Sequence, residues 1–235
     1  MQNSFNRIFI IFSLTVLSLV ILFSISSCKK EKTSSAFDMG YDYFPINTGH
    51  NVTYQVDSIF YDGFNAGKSD TFHFKVKELI ESQFTDLQNR LAQRIERYRK
   101  DNDTTDWYIK DVWFSNRTAS AVEKVEENVR FVKLVFAVED GKKWDGNIYN
   151  TQGEQSYKYT LLNEPYTVNG RTYDSTVTVI QKDEPTSISQ DYQVEVYAKN
   201  IGLIYKHYLH LETSWGGVTI NAGVDYTYSI ISWGN

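Results

Sequence analysis

Apolar and polar residues alternate along most of this chain with a period of two, the spacing of strands that bury one face. Val52, Tyr54 and Val56 alternate with Thr53, Gln55 and Asp57, and Phe72, Phe74 and Val76 with His73, Lys75 and Lys77. Val177 and Val179, then Tyr192, Val194, Val196 and Ala198, then Tyr226, Tyr228 and Ile230 keep the rhythm. From Phe131 to Val138 both faces are nearly apolar, which predicts a central strand. Asp62-Gly63, Asp101-Asn102-Asp103, Asp140-Gly141, Asn169-Gly170 and Gly216-Gly217 fall between these runs, where hairpin turns belong. The sum predicts an all-β or mainly β fold, a single antiparallel meander of roughly ten strands able to curl into a curved half-barrel.

One segment breaks the rhythm. Phe84, Leu87, Leu91, Ile95 and Tyr98 fall three and four residues apart, leaving Arg90, Arg94, Glu96 and Arg97 for the wet side. That spacing alone predicts at most one helix, around residues 84–99. Composition otherwise agrees with sheet: 17 Tyr, 14 Phe and 5 Trp accompany only 3 Pro, and aromatic side chains suit a pleated, half-buried surface. The net charge of −5 argues against a basic surface for nucleic acid and against polybasic attraction to anionic lipid.

Near the start of the chain Arg7 supplies a positive charge, followed by an apolar run from Ile8 to Ile25 and then Ser26-Ser27-Cys28, the order of a secretion signal. The final Cys resembles the bacterial lipobox, which implies cleavage before Cys28 and lipidation of its sulfur. An uncleaved membrane-spanning helix is the competing reading, since about 20 apolar residues cross a bilayer. The position of the single cysteine and the polar Lys29–Ser35 stretch favour cleavage. Residues 1–27 are thus expected to be a signal peptide, 28–40 a lipidated Cys28 with a flexible tether, and 41–235 a single β-rich domain. Acylation of Cys28 leaves no thiol for a disulfide, a metal site or a nucleophile. Lys29 is not a retention signal of the Asp type, so the outer membrane of the cell envelope is favoured, with its periplasmic and surface faces both open.

Tyr43-Phe44-Pro45-Ile46-Asn47-Thr48-Gly49-His50 opens the domain with an aromatic-Pro-x-x-x-Gly turn leading into a strand. Arg94–Tyr98, Lys133–Phe136, Trp144–Asn147 and above all Glu195–Lys206, a strand, a Gly turn and a second strand, follow as further blocks. Together they resemble a family of Bacteroidota-type outer-membrane lipoproteins that carries no assigned activity. The resemblance implies a β-rich fold and an envelope location. It also implies a turn at 86–90 followed by a strand over 94–99, although Asn89 stands where glycine is expected. That reading is preferred here to the helix.

No catalytic constellation emerges. His207 and His210 have opposite strand parity, and no histidine spacing matches a zinc motif. Glu126-Glu127, Glu139-Asp140 and Asp183-Glu184 are sequence neighbours, expected to face apart on strands or to sit in solvated turns. Asp101–Asp106 concentrates oxygen atoms but lacks the Gly and distal Glu of a calcium loop. Neither a cofactor nor a metal is expected, and the chain is read as not an enzyme. The best binding candidate is the loop containing Trp144, Asp145, Asn147 and Tyr149, where rings could stack on a sugar and amides meet its hydroxyls. The function classes that remain are a glycan- or envelope-protein-binding lipoprotein, a carrier of lipid-like molecules in a half-barrel cavity, and a structural envelope component. The expected partners are the membrane, through the lipid anchor, and a glycan or envelope protein.

Overall fold

Alternation of period two builds strands nearly everywhere it occurs. They are β1 (Asn51–Asp62), β2 (Lys68–Thr85), β3 (Leu91–Lys100), β4 (Tyr108–Arg117), β5 (Ala121–Glu126) and β6 (Val129–Val135). After them come β7 (Lys143–Asp145), β8 (Ser156–Val168), β9 (Arg171–Asp183), β10 (Ser189–Ala198), β11 (Gly202–Thr213) and β12 (Ile220–Gly234). The computed structural model describes residues 37–65 and 67–235, with Asp38–Asn235 forming one compact unit. All twelve strands share one antiparallel sheet in the order β6-β5-β4-β3-β2-β1-β12-β11-β10-β9-β8-β7. It is a meander whose first and last strands pair, rolled into a nearly closed barrel. The expected all-β meander is therefore present, with twelve strands rather than roughly ten and more closure than a half-barrel.

Residues 84–99 hold no helix. β2 runs to Thr85, the chain turns over 86–90, and β3 returns from Leu91. The Asp86 carboxylate holds the turn by accepting the backbone N–H groups of Gln88 (2.9 Å) and Arg90 (2.8 Å). Asn89 adopts φ 60°, the left-handed conformation that Asn tolerates better than most residues. The helical spacing arose from two strands read across a turn.

β6 is not a central strand, since it ends the sheet. Its two-sided apolar pattern has another cause: the roll brings β6 against β7, the opposite end. Val132 N–H donates to the Gly146 carbonyl (2.9 Å), and the Trp144 indole N–H donates to the Val132 carbonyl (2.8 Å). Further along the seam the Tyr159 hydroxyl accepts from Val135 N–H (2.7 Å) and donates to the Val135 carbonyl (2.9 Å). Side chains thus satisfy edge groups that a backbone ladder would otherwise pair. The even parity expected from Phe131 to Val138 also fails, because a register shift falls where Val122 pairs with Leu134 and Glu123 with Val132. The residue skipped on β6 is Lys133, which faces the barrel interior in step with Val129 and Phe131, and parity reverses after it.

One end of the barrel is plugged by residues 38–50. Tyr43 is fully buried there, its hydroxyl donating to Asn163 Oδ1 (2.9 Å). Arg117 donates to the carbonyls of Tyr41 (3.1 Å) and Phe44 (2.9 Å), and Asn200 N–H to that of Asp42 (2.7 Å). Gly40 at φ 79° lies so close to Val138 that a Cβ would sit 2.6 Å from its methyl group. The β8–β9 hairpin bends at Leu161 and Asn163, both at positive φ. Its distal half lies against β11 and β12, with Tyr166 on Tyr205 and Asn169 Nδ2 donating to the Ile230 carbonyl (2.9 Å).

Candidate ligand-binding lumen

Inward positions of the strands surround a cavity of about 830 Å³, within the range of small-molecule sites. Phe44, Pro45, His50 and Ile201 line its plugged end, and the exposed Glu127 and Gln152 line the other, which opens to solvent. Charged side chains from facing strands meet across the middle. Arg97 donates to Glu78 (3.0 Å) and to Asp111 (2.8 Å), and Lys124 donates to the second Glu78 oxygen (2.9 Å). Glu126 lies 3.5 Å from Lys124 and 3.7 Å from Lys133. Lys133 donates to Glu195 (2.6 Å), and Lys206 stands 3.5 Å from the same oxygen. The result is a ladder of alternating sign: Asp111, Arg97, Glu78, Lys124, Glu126, Lys133, Glu195, Lys206.

Position in the ladder sets protonation. Burial pushes the carboxyls of Glu78, Glu126 and Glu195 up, but their neighbouring cations outweigh it. Lys124 and Arg97 hold Glu78 below the ordinary carboxylate range, Lys133 and Lys124 hold Glu126 there, and Lys133 and Lys206 hold Glu195 there. Burial likewise opposes the Lys133 and Lys206 ammonium groups, and adjacent acidic groups reverse it: Glu126 and Glu195 at Lys133, and Tyr226, Glu195 and Glu126 at Lys206. Burial pushes the Tyr157 phenol up to about 12. At neutral pH Glu78, Glu126 and Glu195 are therefore ionised, Lys133 and Lys206 are charged, and the Tyr157 phenol is neutral.

Mouthward of the ladder the wall turns neutral but stays polar. Register places Tyr226 opposite Tyr208 and Tyr208 opposite Gln193, and all three line the cavity with Gln155 and Gln181. The rings of Tyr208 and Tyr226 stack at 5.0 Å. Trp113 lies under Arg97 at 3.6 Å and Lys124 at 4.8 Å, and donates its indole N–H to Glu127 at the rim (3.2 Å). Beyond the rim, neighbouring hairpin tips expose Phe64 completely and Trp215 to 80 %.

Within the loop expected to bind ligand, three of the four candidate side chains are engaged in structural contacts. Trp144 packs on Tyr159 (4.5 Å) and Tyr157 (5.8 Å) while its indole N–H is held by Val132. Asp145 accepts the N–H groups of Asn147 (2.9 Å) and Gln155 (3.0 Å), and buried Asn147 donates to the Gly153 carbonyl (2.9 Å). Only Tyr149 faces outward, 58 % exposed, so the four do not form one exposed surface. Cys28 lies outside the described residues. His207 and His210 each take an aspartate, Asp225 at 2.9 Å and Asp191 at 2.6 Å, and among the described residues no group of three potential ligands is arranged to hold a metal. Asp101 and Asp103 point to Arg99 and Lys75 (2.6 Å each) rather than converging on one centre.

Sequence reasoning did not single out the ladder. Lys133 and Glu195 sit singly among apolar neighbours and Lys206 between Tyr205 and His207, and a lone charge in an alternating strand reads as its wet face. At Glu195 the apolar neighbours face away from the lumen. Val194 and Val196 are buried on the other side of β10, Val196 in a cluster with Val168 and Tyr173 of the bent hairpin. A usable signal existed in the Glu195–Lys206 block, two opposite charges set symmetrically about a Gly turn.

No protein-family model and no curated protein matches this chain. Among solved structures it is similar to one described as "a putative lipoprotein from Parabacteroides distasonis", at 10 % identity and a TM-score of 0.41, over 82 % of this chain and 98 % of that one.

Proposed function

We propose that the barrel is a non-catalytic binding protein that takes a small polar molecule into its lumen through the open end. The observation that carries this reading is the charged ladder lining an accessible cavity of about 830 Å³. Buried ion pairs are weak devices for stability, because desolvation offsets most of their attraction. A core filled with Leu and Val would serve a structural role as well. An acyl chain laid against the ladder would strip these groups of polar contacts without replacing them, so the lining favours a polar ligand over a lipid-like one.

The direction of the pKa shifts supports binding rather than catalysis. A general acid or base works best when its pKa approaches the working pH. Here carboxyls move down and ammonium groups move up, away from neutrality on both sides. The lipobox-like Cys28 supports a lipid-anchored envelope protein, with the outer membrane as its membrane.

The test is native mass spectrometry of the full chain, purified in mild detergent from its own cells. A small polar molecule released only on denaturation, and missing from a Gln193→Trp variant that narrows the mouth, is the expected result. An empty barrel whose melting temperature no member of a polar-metabolite library raises would sink the reading.

A further inference from the structure

Two polar groups in the lumen stand out by what they do not bond. Arg97, Lys124 and Lys133 each donate hydrogen bonds to a carboxylate. Lys206, less deeply enclosed than these three, donates none among the described residues: Glu195 stands at 3.5 Å and the Tyr226 ring centroid at 5.9 Å. An ammonium group carries three donors in need of acceptors. The second group is Gln181, only 4 % exposed and on the cavity wall, whose Nε2 has no hydrogen-bond partner among the described residues. Leaving a buried donor unpaired costs about 1–3 kcal/mol, so such a group calls for an acceptor.

Strand register places both in the same part of the wall. Glu195 pairs with Lys206 and Val179, and Gln193 with Tyr208 one inward step nearer the mouth. Gln181 follows Val179 by one inward step on β9, beside Gln193, and Gln155 Nε2 donates to the Gln181 carbonyl (3.0 Å). The wall therefore presents one cation with free donors below a belt of amides and phenols.

Resting on the lumenal-binding reading, we infer that Lys206 receives the carboxylate of a small organic monoanion whose hydroxyl or carbonyl oxygens are met by Gln181 and Gln193. Unused donors select a carboxylate, and charge limits it to a monoanion. Arg97, Lys124 and Lys133 already donate to Glu78, Asp111 or Glu195, whereas Lys206 keeps its donors. The four ladder acids already balance the four ladder cations, so one negative charge is the least a carboxylate ligand can add. A phosphate dianion would set a second negative charge near Glu126 and Glu195 with nothing to offset it. The flat faces of Tyr208 and Tyr226 and the neighbouring amides suit a hydroxylated ring or an acylated amino acid over a bare fatty acid.

The experiment is calorimetric titration of the detergent-solubilised full chain with a panel of uronates, sugar acids and N-acylated amino acids. Each is paired with its neutral amide or ester, and inorganic phosphate is included. At least one carboxylate should bind at least tenfold more tightly than its neutral partner and more tightly than phosphate. Lys206→Arg should keep that preference and Lys206→Met should abolish it, while Gln181→Leu should weaken both members of the pair. Equal binding of the paired compounds by the unsubstituted chain overturns the inference and leaves lumenal binding standing, without reliance on any variant's folding. A preference that survives Lys206→Met overturns it as well. Failure of every compound, charged and neutral, to bind overturns the inference and the lumenal reading together.

Discussion

Lys133 Nζ lies 2.6 Å from Glu195 Oε1, joining β6 near the seam to β10 across the lumen, with both side chains almost wholly withdrawn from solvent. Tyr197 donates its hydroxyl to the other oxygen of the same carboxylate (2.6 Å), so Glu195 is held from two sides. Removing one partner of a buried pair strands the other, at about 3–5 kcal/mol. Lys133→Met is expected to lower the melting temperature by roughly 6–12 °C on the scaling for domains of this size. Lys133→Met with Glu195→Gln should recover part of the loss, because the stranded charge is gone. Chemical denaturation of both single variants and the double variant checks it: additive losses would mean that the two residues are not coupled.

The ladder also sets how stability depends on pH. Glu78, Glu126 and Glu195 have lowered pKa values in the folded chain, so their contribution is present above the unfolded carboxylate value near ~4.3. It is lost as the pH falls through the folded values. Lys133 and Lys206 are raised, as is Tyr157 at about 12. Their contribution is full below the ordinary values of about 10 for Tyr and about 10.4 for Lys, and is lost as pH rises through the folded ones. Urea midpoints should form a plateau between about pH 5 and pH 10 and drop on both sides. An alkaline limb that stays flat to pH 12 would contradict the raised lysines and phenol.

Much of the barrel was legible and its interior was not, for one physical reason. Period-two alternation reports which residues share a face, as for Val52, Tyr54 and Val56, all buried. It does not report whether the opposite face meets water or a second layer. On β10 the valines looked like the core and Glu195 like the surface, yet Glu195 is 1 % exposed. A hairpin bent at Leu161 and Asn163 covers strand faces that would otherwise be wet, and no local pattern announces that bend. Lys133 shares the parity of Phe131 on the lumen, but a one-residue bulge at it reverses the parity of the residues that follow without altering composition. The turn at 86–90 was legible through Asp86 and Asn89. The cluster at Trp144 was visible as aromatic residues beside a turn, but its task depends on β6 and β7 meeting, which is a property of the whole sheet.

That meeting can be probed at Tyr159. Its hydroxyl serves both backbone groups of Val135 where β7 has already ended. Tyr159→Phe keeps the ring in the core and leaves a buried N–H and C=O unpaired, at a cost of about 1–3 kcal/mol. Hydrogen exchange at the Val135 amide should accelerate while amides in β1 and β12 stay protected. Unchanged exchange at Val135 would show that the bonds around Trp144 hold the seam without this hydroxyl.

Lipid anchoring rests on the sequence of residues 1–28 and has its own test. Cys28→Ser removes the sulfur that would carry the lipid. The variant is expected to leave the membrane fraction or to accumulate at its unprocessed mass, while intact-mass measurement of the natural chain shows cleavage before Cys28 and added acyl mass. Normal processing and acylation of the Ser variant would exclude the lipobox.

Trp144 and Tyr149 separate a surface glycan site from a lumenal one. In a surface site both rings would contribute to binding and neither much to stability. In the structure the Trp144 ring packs on two tyrosines and its N–H serves Val132, whereas Tyr149 faces solvent. Trp144→Phe should therefore cost about 1–3 kcal/mol by stripping the Val132 carbonyl of its donor. Tyr149→Ala should stay within about 0.5 kcal/mol, as exposed substitutions do. Neither should change ligand affinity by more than a few-fold if the ligand enters the lumen, since neither residue lines it. A glycan array signal that Tyr149→Ala abolishes at unchanged stability would move the binding site out of the barrel and onto this loop.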